Sequence, residues 1–306
     1  MVNGVLYLNP GASELAGRSV ILTGARRTGT SLLANLLFST ENTELSFEPP
    51  ALRAMFPLIR HMPDAQWRYL FDALVFEDFL VPALAGRGLN LNTNDDSSAY
   101  NALSEDEIVK RLSRGHRQVE LASAATAKCA AFKLPDMVPY LTDFRRVVPN
   151  HAAIVMLRNP ISVIHSLLRL QWLTDERLRG ISADWPHLQV AGIPVPHWVA
   201  EADLDAWSKW SLLERSCYYY CSIYEPLPEI EKTIIFSFDE FVAAPAHQFE
   251  VLANVLDLKS GPKTESLISG IHDPDQKYPA NISDMPLSWS QRVNDIYQGC
   301  LEQRLK

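Results

Sequence analysis

Two short stretches of this 306-residue chain gather residue types suited to holding phosphate. The first is Gly24-Ala25-Arg26-Arg27-Thr28-Gly29-Thr30-Ser31. An oligophosphate needs many short donors close together. The backbone N–H groups of a glycine-containing turn that feeds a helix N-terminus supply them. Gly24 and Gly29 allow the turn, Thr28, Thr30 and Ser31 add hydroxyls, and Arg26 and Arg27 add charge. The second stretch is Ile154-Val155-Met156-Leu157-Arg158-Asn159-Pro160, with Ser166 eight residues after Arg158. A guanidinium at a strand end and a nearby hydroxyl can together grip one phosphate group.

The spacing Gly24-x-x-x-x-Gly29 is that of the P-loop of NTPases, but Thr30 stands where a Walker loop requires lysine. The backbone cradle is kept and the charge lies earlier, at Arg26 and Arg27. This weakens the ATPase and GTPase readings.

Together and in this order, the two motifs resemble those of sulfotransferases that use 3′-phosphoadenosine-5′-phosphosulfate (PAPS). In that family a Lys or Arg just before a [Ser/Thr]-Gly-[Thr/Ser]-[Thr/Ser] run contacts the phosphosulfate, and Arg27 stands at that position. The family's 3′-phosphate motif is a strand ending in Arg-[Asn/Asp]-Pro with a later Ser, which Arg158 and Ser166 match. The resemblance covers residues 18–50 and 130–170, and extends more weakly to Phe236–Phe241 with Pro245. It implies a donor site formed by Arg26, Arg27, Thr28, Gly29, Thr30, Ser31, Arg158 and Ser166, with a late lysine, Lys277 or Lys263, completing the 3′-phosphate pocket. It also implies that Arg27 neutralises the bridging and sulfuryl oxygens, that Lys133 polarises the sulfuryl group, and that Glu48 is the general base.

The sequence departs from the cytosolic branch of that family in two places. Leu134, Pro135 and Asp136 follow Lys133 where that branch carries a catalytic histidine, which favours Glu48 as base, with Asp136 second and His61 or His116 behind it. Leu32 replaces the tryptophan after the loop, so the adenine clamp has no assigned residue. Such chemistry needs PAPS, gives PAP as product, and requires no metal.

These residues need strands and helices to position them. Residues 18–23 read as a short buried strand and Thr30 to Phe38 as a helix with Leu32, Leu33, Leu36 and Leu37 on one face. Ala130 to Lys133 reads as a strand end, and Ala153 to Leu157 as a strand. Asn159-Pro160 suits an N-cap followed by proline at the first helical position, with a helix to about Leu170. Ala206 to Tyr224 reads as a helix, Thr233 to Phe238 as a strand, and Pro245 to Leu256 as a helix with Phe249, Leu252 and Leu256 on one face. Between these lie two insertions, about 51–116 and 171–203. The first is helical, with a helix from Pro63, a polar loop over 86–103, a capping box at Ser104–Glu107 and Gly115 as a C-cap. The second is rich in Pro, Trp and Gly and reads as a lid. The aromatic segments Trp67–Phe79 and 172–210 are candidate walls of an acceptor pocket, although most such aromatics pack cores.

Alternating strands and helices imply an α/β, P-loop-like, three-layer fold with a mostly parallel sheet and one domain over 1–306. A content of 47% hydrophobic and 21% charged residues is that of a globular chain. A net charge of −8 argues against general nucleic-acid binding but leaves room for an anionic nucleotide held by local cations. Cys129, Cys217, Cys221 and Cys300 show no zinc spacing and no disulfide framework. Neither a signal peptide nor a run of about 18 apolar residues stands out. The reading is a cytoplasmic sulfotransferase acting on a hydroxyl or amine of a carbohydrate or other small molecule, with no membrane segment and no nucleic-acid partner. Its rivals are a P-loop kinase or nucleotide phosphotransferase, and a non-catalytic nucleotide-binding protein on the same fold. The oligomeric state is left open.

Overall fold

The structure, a computed structural model, describes residues 8, 10–114, 117–180, 187–190, 192–227, 230, 233–272, 282 and 284–304. Its centre is a five-stranded, wholly parallel sheet of β1 (Val20–Gly24), β2 (Thr43–Phe47), β3 (Cys129–Lys133), β4 (Ala152–Leu157) and β7 (Thr233–Ser237). The spatial order is β2-β3-β1-β4-β7. A separate antiparallel hairpin pairs β5 (His187–Val190) with β6 (Ile193–Pro196).

Side chains alternate across a strand, so adjacent residues feed opposite layers. Val20 and Leu22 of β1, with Ile154 and Met156 of β4, pack against helices Thr30–Phe38 and Pro245–Leu256. Ile21, Ala153, Val155 and Leu157 face the other way, against helices Pro160–Leu170, Leu212–Tyr224 and Leu287–Glu302. Both faces are covered, which is why these strands read as continuous apolar runs. The expected three-layer α/β class is the observed one.

Several local expectations change. Leu33, Leu36 and Leu37 are buried, but Leu32 lines a cavity at the helix start. The helix expected over Ala206–Tyr224 is broken after Trp207 and restarts at Leu212. Ser211 and Glu214 form a full capping box there, and a cap of that kind inside the segment marks the start of a second helix. Ser104 does accept a bond from the Glu107 N–H, but the Glu107 carboxylate turns to Arg111 instead of closing its own box. The first insertion is helical as expected and contains a π-helical stretch, Leu74–Leu80. Gly115 and His116 lie outside the described residues.

Most of the insertion aromatics are core. Trp67 stacks on Phe71 with ring centroids 5.4 Å apart, and both are fully buried beside Phe56 and Phe144. Trp198 and Trp207 are also buried. No helix among the described residues is long and apolar enough to cross a membrane.

Candidate active site

All five parallel strands end on one edge of the sheet, where α/β folds place their ligands. β1 ends at Gly24, whose φ is 138°, and a Cβ there would stand 2.5 Å from the Met156 carbonyl oxygen of β4. Only glycine lets the two strands approach so closely. Gly29, with φ 90°, precedes helix Thr30–Phe38, and a Cβ there would enter the Phe238 ring. The loop between them is therefore clamped, with the helix N-terminus at its mouth.

Helix Leu212–Tyr224 supports the loop from beneath through two buried tyrosines. The Tyr224 hydroxyl accepts from the Ala25 N–H at 3.0 Å and donates to the Met156 carbonyl at 2.6 Å. The Tyr219 hydroxyl accepts from the Arg26 N–H at 2.6 Å and donates to Asp136. Burial pushes both phenols well above their ordinary pKa, so they remain hydrogen-bond donors. The Arg26 guanidinium is itself tied to Asp136 at 2.9 Å, with the two side chains only 7% and 1% exposed. Asp136 is thus a structural partner of the loop. The Thr28 hydroxyl is likewise used within the turn, on the Ala25 carbonyl at 2.7 Å.

The second motif closes on the first through Arg27. Arg158, at the end of β4, donates to the Arg27 carbonyl at 3.0 Å and lies over the Phe238 ring at 4.2 Å. Ser166, buried on helix Pro160–Leu170, accepts from the Arg27 Nε at 3.1 Å. Asn159 caps that helix as expected, accepting from the Ile161 N–H at 2.9 Å. Trp172 sits against both Arg26 and Arg27, 5.6 and 5.8 Å from ring centroid to guanidinium carbon.

On the other side, Glu48 follows β2 directly, and its N–H bonds the Lys133 carbonyl at 2.9 Å, extending the β2–β3 ladder. That register sets the side chains together: Lys133 Nζ is 2.7 Å from Glu48 Oε1. Arg53 reaches Oε2 at 3.3 Å. Burial pushes the Glu48 carboxyl up, but Lys133, aided by Arg26 and Arg53, outweighs it and holds the pKa below the usual carboxylate value. Glu48 is therefore an ionised acceptor at neutral pH.

Among the described residues only five non-glycine positions have left-handed backbone, and three of them are Arg27, Glu48 and Asp136. Each costs on the order of 1 kcal/mol and persists where the surroundings hold it, and such strain clusters at functional sites. Here it falls just beyond three neighbouring strand ends.

A cavity of about 520 Å³ joins these pieces. Arg26, Arg27, Lys133 and Arg158 bring positive charge to it, against Glu48 and Asp96. Gly29, Thr30 and Ser31 line it as expected, and so do residues that neither phosphate motif contains, among them Asn35, Asp96, Trp172, Phe238 and His272. Phe238 carried a usable signal, an aromatic directly after a strand end. His272 carried none. Lys277 lies outside the described residues. Lys263 does not line the cavity, because its ammonium bonds the Tyr100 carbonyl at 2.5 Å. His61 is exposed and borders a different cavity. Among the described residues no group of three His, Cys, Asp or Glu could hold a metal ion.

A model of the sulfotransferase family matches residues 19–260. Solved structures similar to this chain include the sulfotransferase domain of the Synechococcus PCC 7002 olefin synthase, at 11% identity and TM-score 0.48, over 92% of this chain and 93% of that one. A sulfotransferase from Mycobacterium tuberculosis H37Rv matches at 14% identity and TM-score 0.43, over 95% of this chain and 79% of its own. A sulfotransferase domain from the Curacin biosynthetic pathway matches at 14% identity and TM-score 0.43, over 91% and 96%. No curated protein matches.

Proposed function

We propose that this chain, which belongs to the sulfotransferase family, transfers the sulfuryl group of PAPS to a hydroxyl or amine of a carbohydrate or other small molecule. The observation that carries this reading is the closure of the two phosphate motifs on Arg27: Arg158 holds its carbonyl and Ser166 its Nε. A donor with one phosphate at the loop and another near Arg158 matches two such poles. ATP lacks the 3′-phosphate, and the loop lacks the Walker lysine.

The donor set suits an anion: four guanidinium or ammonium groups, a helix N-terminus and the Thr30 and Ser31 hydroxyls face one cavity. In the proposed reaction the acceptor oxygen or nitrogen bonds to sulfur. The bond from sulfur to the bridging phosphate oxygen breaks, its electron pair stays with PAP, and the acceptor proton passes to Glu48. Arg27 offsets the charge growing on the bridging oxygen, and Lys133 the charge on the sulfuryl oxygens. Lys133 also tunes the base. While it rests on Glu48 it depresses that carboxyl, and when it turns to the sulfuryl oxygens, burial takes over and raises the proton affinity of Glu48. The base strengthens when a proton is to be taken.

The test compares thermal stabilisation by PAP and by ATP with Mg²⁺ in wild type and Arg158→Ala, since a ligand that binds only the folded state raises its stability. PAP is expected to stabilise wild type and to lose most of its effect in Arg158→Ala. Stabilisation by ATP without PAP would sink the reading in favour of a kinase. PAP binding without any PAPS turnover sensitive to Glu48→Gln would favour a nucleotide-binding protein that does no chemistry.

A further inference from the structure

Beside Glu48 lies a second cleft, of about 400 Å³, running along β2. Two consecutive pairs of residues divide between the two spaces. Phe47 lines the cleft and Glu48 the donor cavity, while Ser97 lines the cleft and Asp96 the donor cavity. We infer that this cleft binds the acceptor, and that the acceptor is an uncharged amphipathic alcohol carrying hydroxyl or amide groups beside an apolar part. This rests on the sulfuryl-transfer reading above.

The first support is the strand itself. β2 is at the edge of the sheet. The bond from the Glu48 N–H to the Lys133 carbonyl fixes which residues face β3, and by alternation Leu45 and Phe47 direct their N–H and C=O groups to the free edge. Among the described residues no backbone group pairs with them. An unpaired edge is normally shortened, covered or charged. Here it lines a cleft, where a ligand with polar groups can complete the pairing.

The second support is the wall opposite. The π-helical stretch Leu74–Leu80 brings Asp78 and Phe79 to the cleft, and such wide turns recur at functional sites. Phe79 is packed on Phe132 with ring centroids 5.1 Å apart, which leaves a fixed aromatic surface near Phe47. The roof is a tethered loop. Asn35, on the helix that starts at the phosphate loop, donates to the Asp96 carbonyl at 3.1 Å, and Asn90 donates to the Ser97 hydroxyl at 2.8 Å. The cleft is thus formed before any ligand arrives.

The third support is charge, which selects the class. The donor cavity is lined by four basic side chains, whereas the cleft's charged lining is Glu44, Asp78 and Arg87. Glu44 is already engaged by Arg111 through bonds of 2.7 and 2.9 Å. A polyanionic glycan would meet one cation and two carboxylates, and charge mismatch of that kind excludes partners. Phe47, Phe79 and Leu89 instead offer an apolar face, with Ser46, Asn90 and Ser97 as polar neighbours.

The experiment measures PAPS turnover with two acceptor panels, octyl β-glucoside and 4-nitrophenyl glycosides against heparosan and chondroitin. It is repeated in Leu89→Trp, which fills the cleft from a partly exposed loop, and in Phe79→Leu, which keeps an apolar wall. Turnover is expected in the neutral panel. Both variants should raise the acceptor KM about tenfold, the scale of losing one good apolar contact, with kcat and the PAP thermal shift little changed. Turnover confined to the polyanions overturns the class. Neutral turnover with an unchanged KM in both variants overturns the cleft, and a protein that PAP stabilises but that turns over neither panel overturns the catalytic reading and the acceptor class with it. Failure of PAP to stabilise wild type strikes instead at the donor reading underneath.

Discussion

The two sides of Glu48 are built on different physical principles. On the donor side nearly every functional group is held by another side chain from a distant part of the chain. Arg26 is bound by Asp136, Arg27 by Ser166, and the loop N–H groups by Tyr219 and Tyr224. On the other side, the β2 cleft offers open backbone edges, fixed aromatic faces and partly exposed polar groups. A site for a fixed dianionic group benefits from donors that need no rearrangement, because every one is directed at known charges. A cleft with few charges and an unpaired edge discriminates by shape and polarity.

The comparison can be broken most sharply at the residue between the two sides. Glu48→Gln removes the proposed base and is expected to lower kcat by about 10²–10⁴ while leaving PAP stabilisation intact. If PAP binding falls with it, Glu48 belongs to the donor side and the division is wrong. Arg158→Ala should weaken PAP by roughly 10- to 100-fold, as expected for a charged hydrogen-bonding partner, without changing the acceptor KM. Titration calorimetry and initial-rate kinetics separate the two effects.

Tyr219→Phe asks how far the donor side depends on its support. It leaves the buried Asp136 carboxylate short of a donor, and the expected cost is about 1–3 kcal/mol in urea unfolding with the slope unchanged. An unchanged midpoint would mean the loop does not lean on this helix.

Lys133→Met sharpens the role of the ion pair. It removes the group that holds the Glu48 carboxyl below its ordinary value, so burial raises the pKa. A carboxylate base is lost as pH falls through its pKa, so the acid limb of kcat/KM, which reports the free enzyme, should lie below about pH 4.5 in wild type and move to higher pH in the variant. A limb that stays in place would deny Lys133 this tuning role.

The smallest expected effect belongs to the fold alone. Burial lowers the pKa of His151 and His197 to about 4 from an ordinary 6.5. The unfolded chain then binds more protons between these values, so these groups' contribution to stability, complete above pH 6.5, is lost as pH falls toward 4. Urea midpoints followed down that range should decline and should decline less in His151→Asn. A flat profile would place both imidazoles in water.

Much of the geometry of the proposed donor side could be read from the chain because its signals are local. Gly24, Gly29, Arg27 and Arg158 carry their meaning within a few residues of a strand end, and the apolar runs of β1 and β4 show where those ends lie. The same local pattern overran at Ala206–Tyr224, where helix propensity continued through a segment that Ser211 divides. β2, by contrast, had no strong strand signature of its own. Thr43-Glu44-Leu45-Ser46-Phe47 alternates weakly because an edge strand beside an insertion needs no continuous apolar run.

The sequence by itself determined the glycine-bounded loop between a strand and a helix, the α/β layering and the two motifs that meet at that loop, because short-range periodicity and residue type are sufficient for these. Only the tertiary structure decided that Arg26 turns inward to Asp136, that Lys133 rests on Glu48, and that Tyr219, Tyr220 and Tyr224 of one helix reach the strand ends, Tyr220 by donating to the Arg158 carbonyl. These contacts join residues separated by tens to nearly two hundred positions. They exist because the parallel sheet brings every strand end to one edge, a fact no local stretch of the sequence contains.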